Sequence, residues 1–190
     1  MLAIVAAAQE PDGYLYTSRT MNPKHPHAWS GSRRWEKVED LSHEFYNLGH
    51  MVEGAIAHYQ ATGKRNFLDI AIRYADCVCR EIGPEEGQLV RVPGHQIAEM
   101  ALAKLYIVTG DRKYLDEAKF FLDQRGHTSR RDAYSQAHKP VVEQDEAWGM
   151  PCGPLTCMPG WPMWQPSRAI RLTSMPSTGF GTISWARSIT

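Results

Sequence analysis

A chain of 190 residues is long enough for one domain with an apolar core, because chains of about 150 residues already bury roughly 70% of their unfolded surface. Lys plus Arg and Asp plus Glu both total 21, so the formal net charge is zero. This balance creates no field that gathers phosphates or anionic lipid, and it argues against nucleic acid and membrane surfaces as partners.

The apolar start at residues 1–8 is predicted to be the end of a helix. It is far shorter than the ~20 residues of a membrane span, and it lacks the basic flank and the length of a signal peptide. The sequence therefore leaves the compartment open between the cytoplasm and the periplasm.

A turn is predicted next, at residues 9–16, with Pro11 on one side and Asp12 and Gly13 at its centre. Such turns often line binding sites, but a plain surface turn fits these residues equally well. The loop at residues 25–35 is rich in Pro, Ser, Gly and Trp, and its role stays open.

Four helices follow, because four stretches repeat apolar residues at helical spacing: 43–61, 65–82, 96–108 and 112–124. A glycine that can adopt a left-handed C-cap follows each of them: Gly63, Gly83, Gly110 and Gly126. Asp111 is the predicted N-cap of the last helix. The short connections pair the helices into two hairpins, so the sequence predicts an all-α fold.

The two hairpins repeat each other at an interval of 47 residues. Residues 59–71 align with residues 106–118 and share Tyr, Thr-Gly, Arg, an aromatic residue, Leu-Asp and Ala. A Gly-His pair also precedes each copy, the second offset by two residues. One hairpin cannot bury its own apolar faces, so the repeat predicts an open α-solenoid or a closed toroid of hairpins.

The histidines of these pairs, His50 and His95, are the candidate binding residues. A single histidine near a helix start is more often structural, but these two hold comparable places in the repeat and would both face the axis of a toroid. Neutral imidazole offers one donor and one acceptor, which suits a sugar hydroxyl. Tyr46 lies one helical turn before His50 and can add a flat wall or a phenol contact, although a core role suits it as well.

The sequence shows neither a metal site nor a catalytic pair. Three histidines share no metal-ligand spacing on one element: His25, His27 and His43. Four cysteines match neither paired zinc ligands nor a secreted disulfide framework: Cys77, Cys79, Cys152 and Cys157. Most glycosidases use two carboxylates about 5 to 10 Å apart, and six are candidates by residue type alone: Glu44, Glu53, Glu99, Glu143, Asp145 and Glu146. No catalytic, metal or cofactor residue is assigned.

Residues 147–190 differ in chemistry from the rest of the chain. They contain no Asp, Glu, Lys or His and are rich in Pro, Met, Trp and Gly. No helical or strand period runs through them, and a disordered tail would be richer in charge and poorer in Trp and Met. We predict one domain at residues 1–147 followed by an irregular tail at residues 148–190.

Eight strings within residues 3–146 are specific in combination: QEPDGYL at 9–15, HEFYNLGH at 43–50, AHYQATGK at 57–64, GH at 94–95, ALAKLY at 101–106, TGD at 109–111, FFLDQRG at 120–126 and YSQAHKPV at 134–141. Together they resemble the catalytic barrel of glycoside hydrolase family 127. The resemblance implies part of an (α/α)6 barrel of helical hairpins, a retaining mechanism, and β-L-arabinofuranosidase or related activity on a terminal sugar of plant-type glycans. The histidines of the matching family positions reach the sugar, so His50 and His95 carry over as substrate contacts.

In that family a zinc-bound cysteine is the nucleophile and a glutamate is the acid/base, and the resemblance places both downstream of the segment present here. The family's metal cysteines have no match in this sequence, so zinc is implied for the family but its ligands are absent. The resemblance therefore predicts a partial barrel that is inactive alone. Its uncovered apolar helix faces would favour self-association.

The resemblance stops after Ala147, where the family pattern continues with Val-Gly-His-Ala-Val-Arg and this chain does not. Met and Trp have single codons, which allows the neighbouring reading frame to be inferred. Residues 158–164, read one base earlier, permit Ala-Gly-Met-Ala-Asp-Val, and residues 150–154 permit His-Ala-Val-Arg-Ala. We infer that the tail is out-of-frame translation and that a third Gly-His hairpin was lost with it.

Two other interpretations stay open. The first is another hairpin-toroid enzyme, either an unsaturated glucuronyl hydrolase or a sugar 2-epimerase, and the second is a non-enzymatic α-solenoid that binds protein. The carbohydrate-enzyme interpretation requires His50 and His95 to converge within about one small-ligand width.

Overall fold

The computed structural model describes residues 1–145, and this part of the chain is all-α, as predicted. Its helices are α1 (Leu2–Ala8), α2 (Thr17–Thr20), α3 (Glu44–Thr62), α4 (Asn66–Glu81), α5 (Ala98–Thr109) and α6 (Arg112–Gln124). Short 3-10 turns lie at Ala28–Ser30 and Val141–Glu143. The predicted irregular tail at residues 148–190 lies outside the described residues.

The four long helices form the two predicted hairpins. Helix α3 packs on α4, α5 packs on α6, and α3 and α5 lie side by side. Each helix supplies apolar residues at helical spacing to one shared core, as α3 does with Phe45, Leu48, Val52 and Ile56. The two hairpins therefore bury each other's apolar faces, which one hairpin alone could not do.

The repeated Thr-Gly motif builds the same turn in both hairpins. Gly63 and Gly110 adopt the left-handed conformation, with φ of 68° and 76°. Their N–H groups donate to the carbonyls of Tyr59 and Tyr106. A Cβ is unfavourable at positive φ, so glycine closes each helix with little strain.

The residues around these glycines make matching hydrogen bonds. The hydroxyls of Thr62 and Thr109 each donate to the carbonyl four residues earlier and accept from the backbone N–H two residues later. Arg65 pairs with Asp69, and Arg112 pairs in the same way with Asp116. The predicted N-cap of α6 is confirmed, because the Asp111 carboxylate accepts from the Lys113 N–H.

The other two predicted glycine caps are wrong. Helix α4 ends at Glu81 and α6 at Gln124, and their capping residues, Ile82 and Arg125, are extended rather than left-handed. Ile82 forms a backbone bridge with Leu89, which draws the chain out of the helix. Arg125 is held by a buried ion pair with Glu99. Tertiary partners thus decide where these two helices end.

The segment before α3 supplies an aromatic core. Trp35 stacks on Phe45 with ring centroids 5.2 Å apart, and the ring of Tyr14 stands nearly perpendicular to that of Trp35, also with centroids 5.2 Å apart. Tyr14 is fully buried, so the turn at residues 9–16 anchors the fold through this side chain. The Tyr14 hydroxyl donates to the buried Glu44 carboxylate at 2.5 Å, which ties the turn to the start of α3.

Candidate functional site

Three imidazoles contact the ring of Tyr46 near the start of α3. The ring centroid of Tyr46 lies 4.4 Å from His50, 5.3 Å from His95 and 5.7 Å from His43. His43 also stacks on His95, with centroids 5.2 Å apart. All three residues predicted from the sequence therefore meet, and His43 joins them; we call these four residues the His-Tyr cluster.

The two predicted histidines reach this cluster from different kinds of backbone. His50 lies in the second turn of α3, one turn after Tyr46 and on the same face. His95 lies in the loop before α5, which begins only at Ala98. The prediction that the two histidines hold comparable places in the repeat is therefore wrong, although both still contact Tyr46.

The glycine before each histidine allows a close approach of two backbones. A Cβ on Gly49 would lie 2.6 Å from the Ile97 side chain, so only glycine lets the loop before α5 approach α3 this closely. A Cβ on Gly94 would lie 3.0 Å from the Val38 carbonyl, to which the Gly94 N–H donates. In each Gly-His pair the glycine therefore permits close packing, and the histidine beside it can bind a ligand.

A buried ion pair supports the loop that carries His95. The side chains of Arg125 and Glu99 are 1% and 3% exposed, and their charged atoms lie 2.8 Å apart. The Arg125 guanidinium also donates to the carbonyls of Pro93 and Ser135. Because Pro93 lies two residues before His95, Arg125 fixes the backbone on which His95 is carried. Sequence reasoning missed Arg125 because its partners are distant along the chain.

The surroundings of His95 favour its neutral form. Partial burial lowers the pKa of His95 below the usual value, and the positive charges of His43, Arg130 and Arg125 lower it further. Neutral imidazole carries one N–H donor and one lone-pair acceptor. His95 can therefore both donate to and accept from hydroxyl groups at neutral pH.

Three of the six candidate carboxylates are committed to structural contacts. Glu44 is fully buried, and it accepts from Tyr14 and Ser42. Burial raises its pKa above the usual range. Glu53 pairs with Lys104 at 2.8 Å, and Glu99 pairs with Arg125.

The remaining candidates give no acid/base pair either. Glu143 and Asp145 are exposed at the end of the described chain, and Glu146 lies outside it. Within residues 1–145, the candidates named from the sequence therefore do not form two opposed, free carboxylates.

The described cysteines do not fit the zinc site that the resemblance implies. Cys77 is the only described cysteine that lies with other ligand-type groups, since its sulfur and carboxylate oxygens of Asp12 and Glu81 lie within 4.8 Å of one another. The Arg34 guanidinium already pairs with both carboxylates, at 2.5 and 3.3 Å. Burial raises the pKa of the Cys77 thiol to about 12, so the thiolate that zinc requires is disfavoured.

The second described cysteine is no better suited to a metal. Burial also raises the pKa of Cys79 above its usual value. Cys152 and Cys157 lie outside the described residues. The donor set at residues 1–145 therefore does not match a cysteine-bound zinc, and we derive no step through one.

An apolar cavity of about 490 Å³ lies beside α1, lined in part by Ile4, Val5, Ala8, Leu15 and Tyr16. Ile4 is 74% exposed and α1 buries none of its residues, so this helix presents an apolar face to solvent. The predicted self-association through such faces stays a prediction. Within the described chain, none of the helices combines the length and apolarity that crossing a membrane requires.

Comparison with known proteins gives one consistent result. The family model described as "Beta-L-arabinofuranosidase, GH127 catalytic domain" matches residues 1–157. The chain is 34% identical over 167 residues to the non-reducing end β-L-arabinofuranosidase of Bifidobacterium longum subsp. longum, covering 77% of this chain. It spans about a quarter of the length of that relative, 25%.

Solved structures give the same match. The chain is 80% identical to the GH127 β-arabinofuranosidase BT3674, with a TM-score of 0.75 over 76% of this chain and 23% of that one. It is 40% identical to a GH127 β-L-arabinofuranosidase from Geobacillus stearothermophilus T6, with a TM-score of 0.66 over 75% of this chain and 24% of that one.

Proposed function

Because the chain belongs to glycoside hydrolase family 127, we propose that the His-Tyr cluster forms one side of a sugar-binding site for a terminal β-L-arabinofuranoside. The observation that carries this proposal is the convergence of His50 and His95 on Tyr46, with ring centroids 4.4 and 5.3 Å from the phenol ring. The name of the Bifidobacterium relative, a non-reducing end β-L-arabinofuranosidase, supports a terminal arabinofuranose as the ligand.

The chemistry of the cluster suits a sugar better than an ion. The ring of Tyr46 offers a flat apolar wall for the C–H groups of a furanose, while the two imidazoles offer donors and acceptors to its hydroxyls. Asp12, Cys77 and Glu81 form the one metal-compatible group among the described residues, so the imidazole nitrogens are not grouped as metal ligands would be.

We further propose that this chain binds the sugar without hydrolysing it. Hydrolysis requires an acid and a base or nucleophile on opposite sides of the bond, and the described Cys77 does not suit the zinc-bound nucleophile that the family resemblance implies. In the described chain, Glu44, Glu53 and Glu99 are held in hydrogen bonds or ion pairs. The cluster itself therefore contributes recognition, through His50, His95 and Tyr46.

Membership of family 127 favours this proposal over the other interpretations of the repeat. A protein-binding solenoid would not require imidazoles to converge on one phenol ring, as they do around Tyr46.

Titration with methyl β-L-arabinofuranoside, followed by NMR of the imidazole protons of the full chain, tests the proposal. We expect the resonances of His50 and His95 to shift, and substitution of either by alanine to weaken binding about fivefold or more, the scale of one lost hydrogen bond. His25→Ala is the matched control, because His25 is exposed and lies outside the cluster contacts. Unchanged affinity in His50→Ala and His95→Ala would reject the site.

Release of an aryl group from an aryl β-L-arabinofuranoside tests the absence of turnover. We expect none above the uncatalysed rate from the chain alone. Turnover that survives in the purified chain and is lost in His95→Ala would show that residues of this chain complete a catalytic site.

A further inference from the structure

The imidazole of His95 lies on a loop, so its orientation depends on contacts that His50, on a helix, does not require. His50 belongs to α3, so the hydrogen bonds of the helix hold its backbone and restrict its side chain. His95 lies in a loop whose backbone is fixed at Pro93 by Arg125 and at Gly94 by the Val38 carbonyl. These bonds fix where the loop runs, but they leave the orientation of the imidazole ring to its neighbours.

Two rings surround the His95 imidazole. His43 lies nearly parallel to it, with an angle of 24° between the planes. Tyr46 meets it at 65°, with centroids 5.3 Å apart. A ring that contacts one neighbour face to face and another at an angle has little freedom to rotate.

The ring of His43 is itself held in place. A backbone carbonyl can only accept, so the 2.6 Å contact between His43 Nδ1 and the Leu41 oxygen requires the proton on Nδ1. The His43 backbone is left-handed, with φ 57° and ψ 18°, directly before α3. This conformation is strained for a residue other than glycine, although histidine adopts it more often than most. From this backbone the His43 side chain reaches the ring of His95.

We propose that His43 is a positioning residue of the sugar site: it fixes the plane of the His95 imidazole and thereby the directions in which His95 donates and accepts hydrogen bonds. This inference rests on the proposed function, because the ligand of His95 is the same sugar. The ordering of a loop-borne imidazole before the ligand arrives reduces the entropy lost on binding.

Two substitutions distinguish the effect of the His43 ring from that of its hydrogen bond to the Leu41 carbonyl. His43→Asn suits the left-handed backbone and keeps a side-chain N–H for the Leu41 carbonyl, but it removes the ring. We expect it to weaken binding of methyl β-L-arabinofuranoside about fivefold, the scale of one aromatic pair, and to move the ring-proton resonances of His95. His43→Phe keeps a flat partner but loses the bond to the Leu41 carbonyl and is less suited to a left-handed backbone, so we expect its affinity to lie between those of the parent chain and His43→Asn.

The result that overturns the inference is specific. If His43→Asn leaves both the affinity and the His95 resonances unchanged, or if His43→Phe binds as weakly as His43→Asn, stacking by His43 does not position His95. If the parent chain binds no sugar, the proposed function fails, while the His95 resonances of His43→Asn still decide the positioning role.

A measurement on the unsubstituted chain guards against variants that do not fold. We expect nuclear Overhauser contacts between the rings of His43 and His95, and ¹⁵N shifts that place the His43 proton on Nδ1. A ring protonated on Nε2 alone would be incompatible with the bond to the Leu41 carbonyl and would reject the proposal.

Discussion

Gly49 of α3 lies so close to Ile97 that a Cβ at position 49 would come within 2.6 Å of the Ile97 Cγ2 atom. The contact joins the two hairpins directly beside the His-Tyr cluster, since His50 follows Gly49 and His95 lies two residues before Ile97. The distance between α3 and the loop before α5 therefore depends on the absence of a side chain at position 49.

We expect Gly49→Ala to destabilise the fold by about 1 to 3 kcal/mol, because overpacking forces the hairpins apart. Chemical denaturation gives the free energy of unfolding, and the sugar titration gives the affinity. We expect the affinity to fall as well, since Tyr46 and His50 move away from His95.

Gly54→Ala is the matched control in the same helix. A Cβ at Gly54 would make an ordinary 3.6 Å contact with Phe67. Alanine is favoured over glycine inside a helix by about 1 kcal/mol, so this variant should be more stable than the parent chain. Equal losses of stability in the two variants would contradict the close approach at Gly49.

Arg125→Met is expected to destabilise the chain by about 3 to 5 kcal/mol, because it leaves the buried Glu99 carboxylate without a partner. Arg112→Met, which breaks the exposed pair with Asp116, should cost about 0.5 kcal/mol or less. Denaturation curves of both variants give the comparison. The double variant Arg125→Met with Glu99→Met should recover part of the loss, and no recovery would argue against pairing as the cause.

Glu117 is expected to make stability depend on pH. It is 6% exposed, its Oε1 atom has no hydrogen-bond partner, and burial raises its pKa to about 8. A pKa raised in the folded state means that folding favours the protonated acid. The stabilising contribution of Glu117 to the free energy of unfolding is thus complete below its unfolded pKa of about 4.5, and it is lost as the pH rises towards and beyond 8.

Glu117→Gln removes this titration, so its free energy of unfolding should exceed that of the parent by a growing margin between about pH 5 and 9. Asp116→Asn, whose parent side chain is 59% exposed on the same helix, is the control and should show no such trend. A margin that stays constant with pH would mean that Glu117 ionises as freely in the folded chain as in the unfolded one.

The coding DNA of the tail gives a prediction independent of the fold. The codons of Trp148, Gly149 and Met150 read TGG GGN ATG, and one base earlier they permit Val-Gly-His. We expect a single-base change near codon 148 to open a long frame that resembles family 127. Sequencing the gene through this region tests the prediction. A nearby stop codon in the reading frame that begins one base earlier would reject the out-of-frame proposal.

The hairpins were predictable because the bonds that make them are local. Thr62 and Gly63 bond within a few residues along the chain, and Thr109 with Gly110 repeats the pattern. A turn whose hydrogen bonds all lie within a few residues can be recognised from the sequence alone. The ends of α4 and α6 were not predictable from helical spacing, since the backbone around Ile82 bonds to Leu89 in the following loop and Arg125 pairs with Glu99 of α5.

The candidate site was only partly predictable. His50 and Tyr46 share a helix face, so their proximity follows from helical spacing alone. The position of His95 beside them depends on contacts at Gly49 and Gly94. His43 gave one signal, its place at the head of the string HEFYNLGH, but its stacking on His95 could not be inferred from that place.

The amino-acid sequence by itself determined the all-α class and the paired helices, because helical periodicity and the Thr-Gly turns act over a few residues, and its eight strings carried the resemblance to the family. Only the tertiary structure decided which imidazoles contact the ring of Tyr46, which carboxylates are held in buried contacts, and which tyrosine lies in the core. Those outcomes depend on contacts between segments far apart in the chain. At Gly49, for example, the absence of one methyl group sets the distance between α3 and the loop before α5.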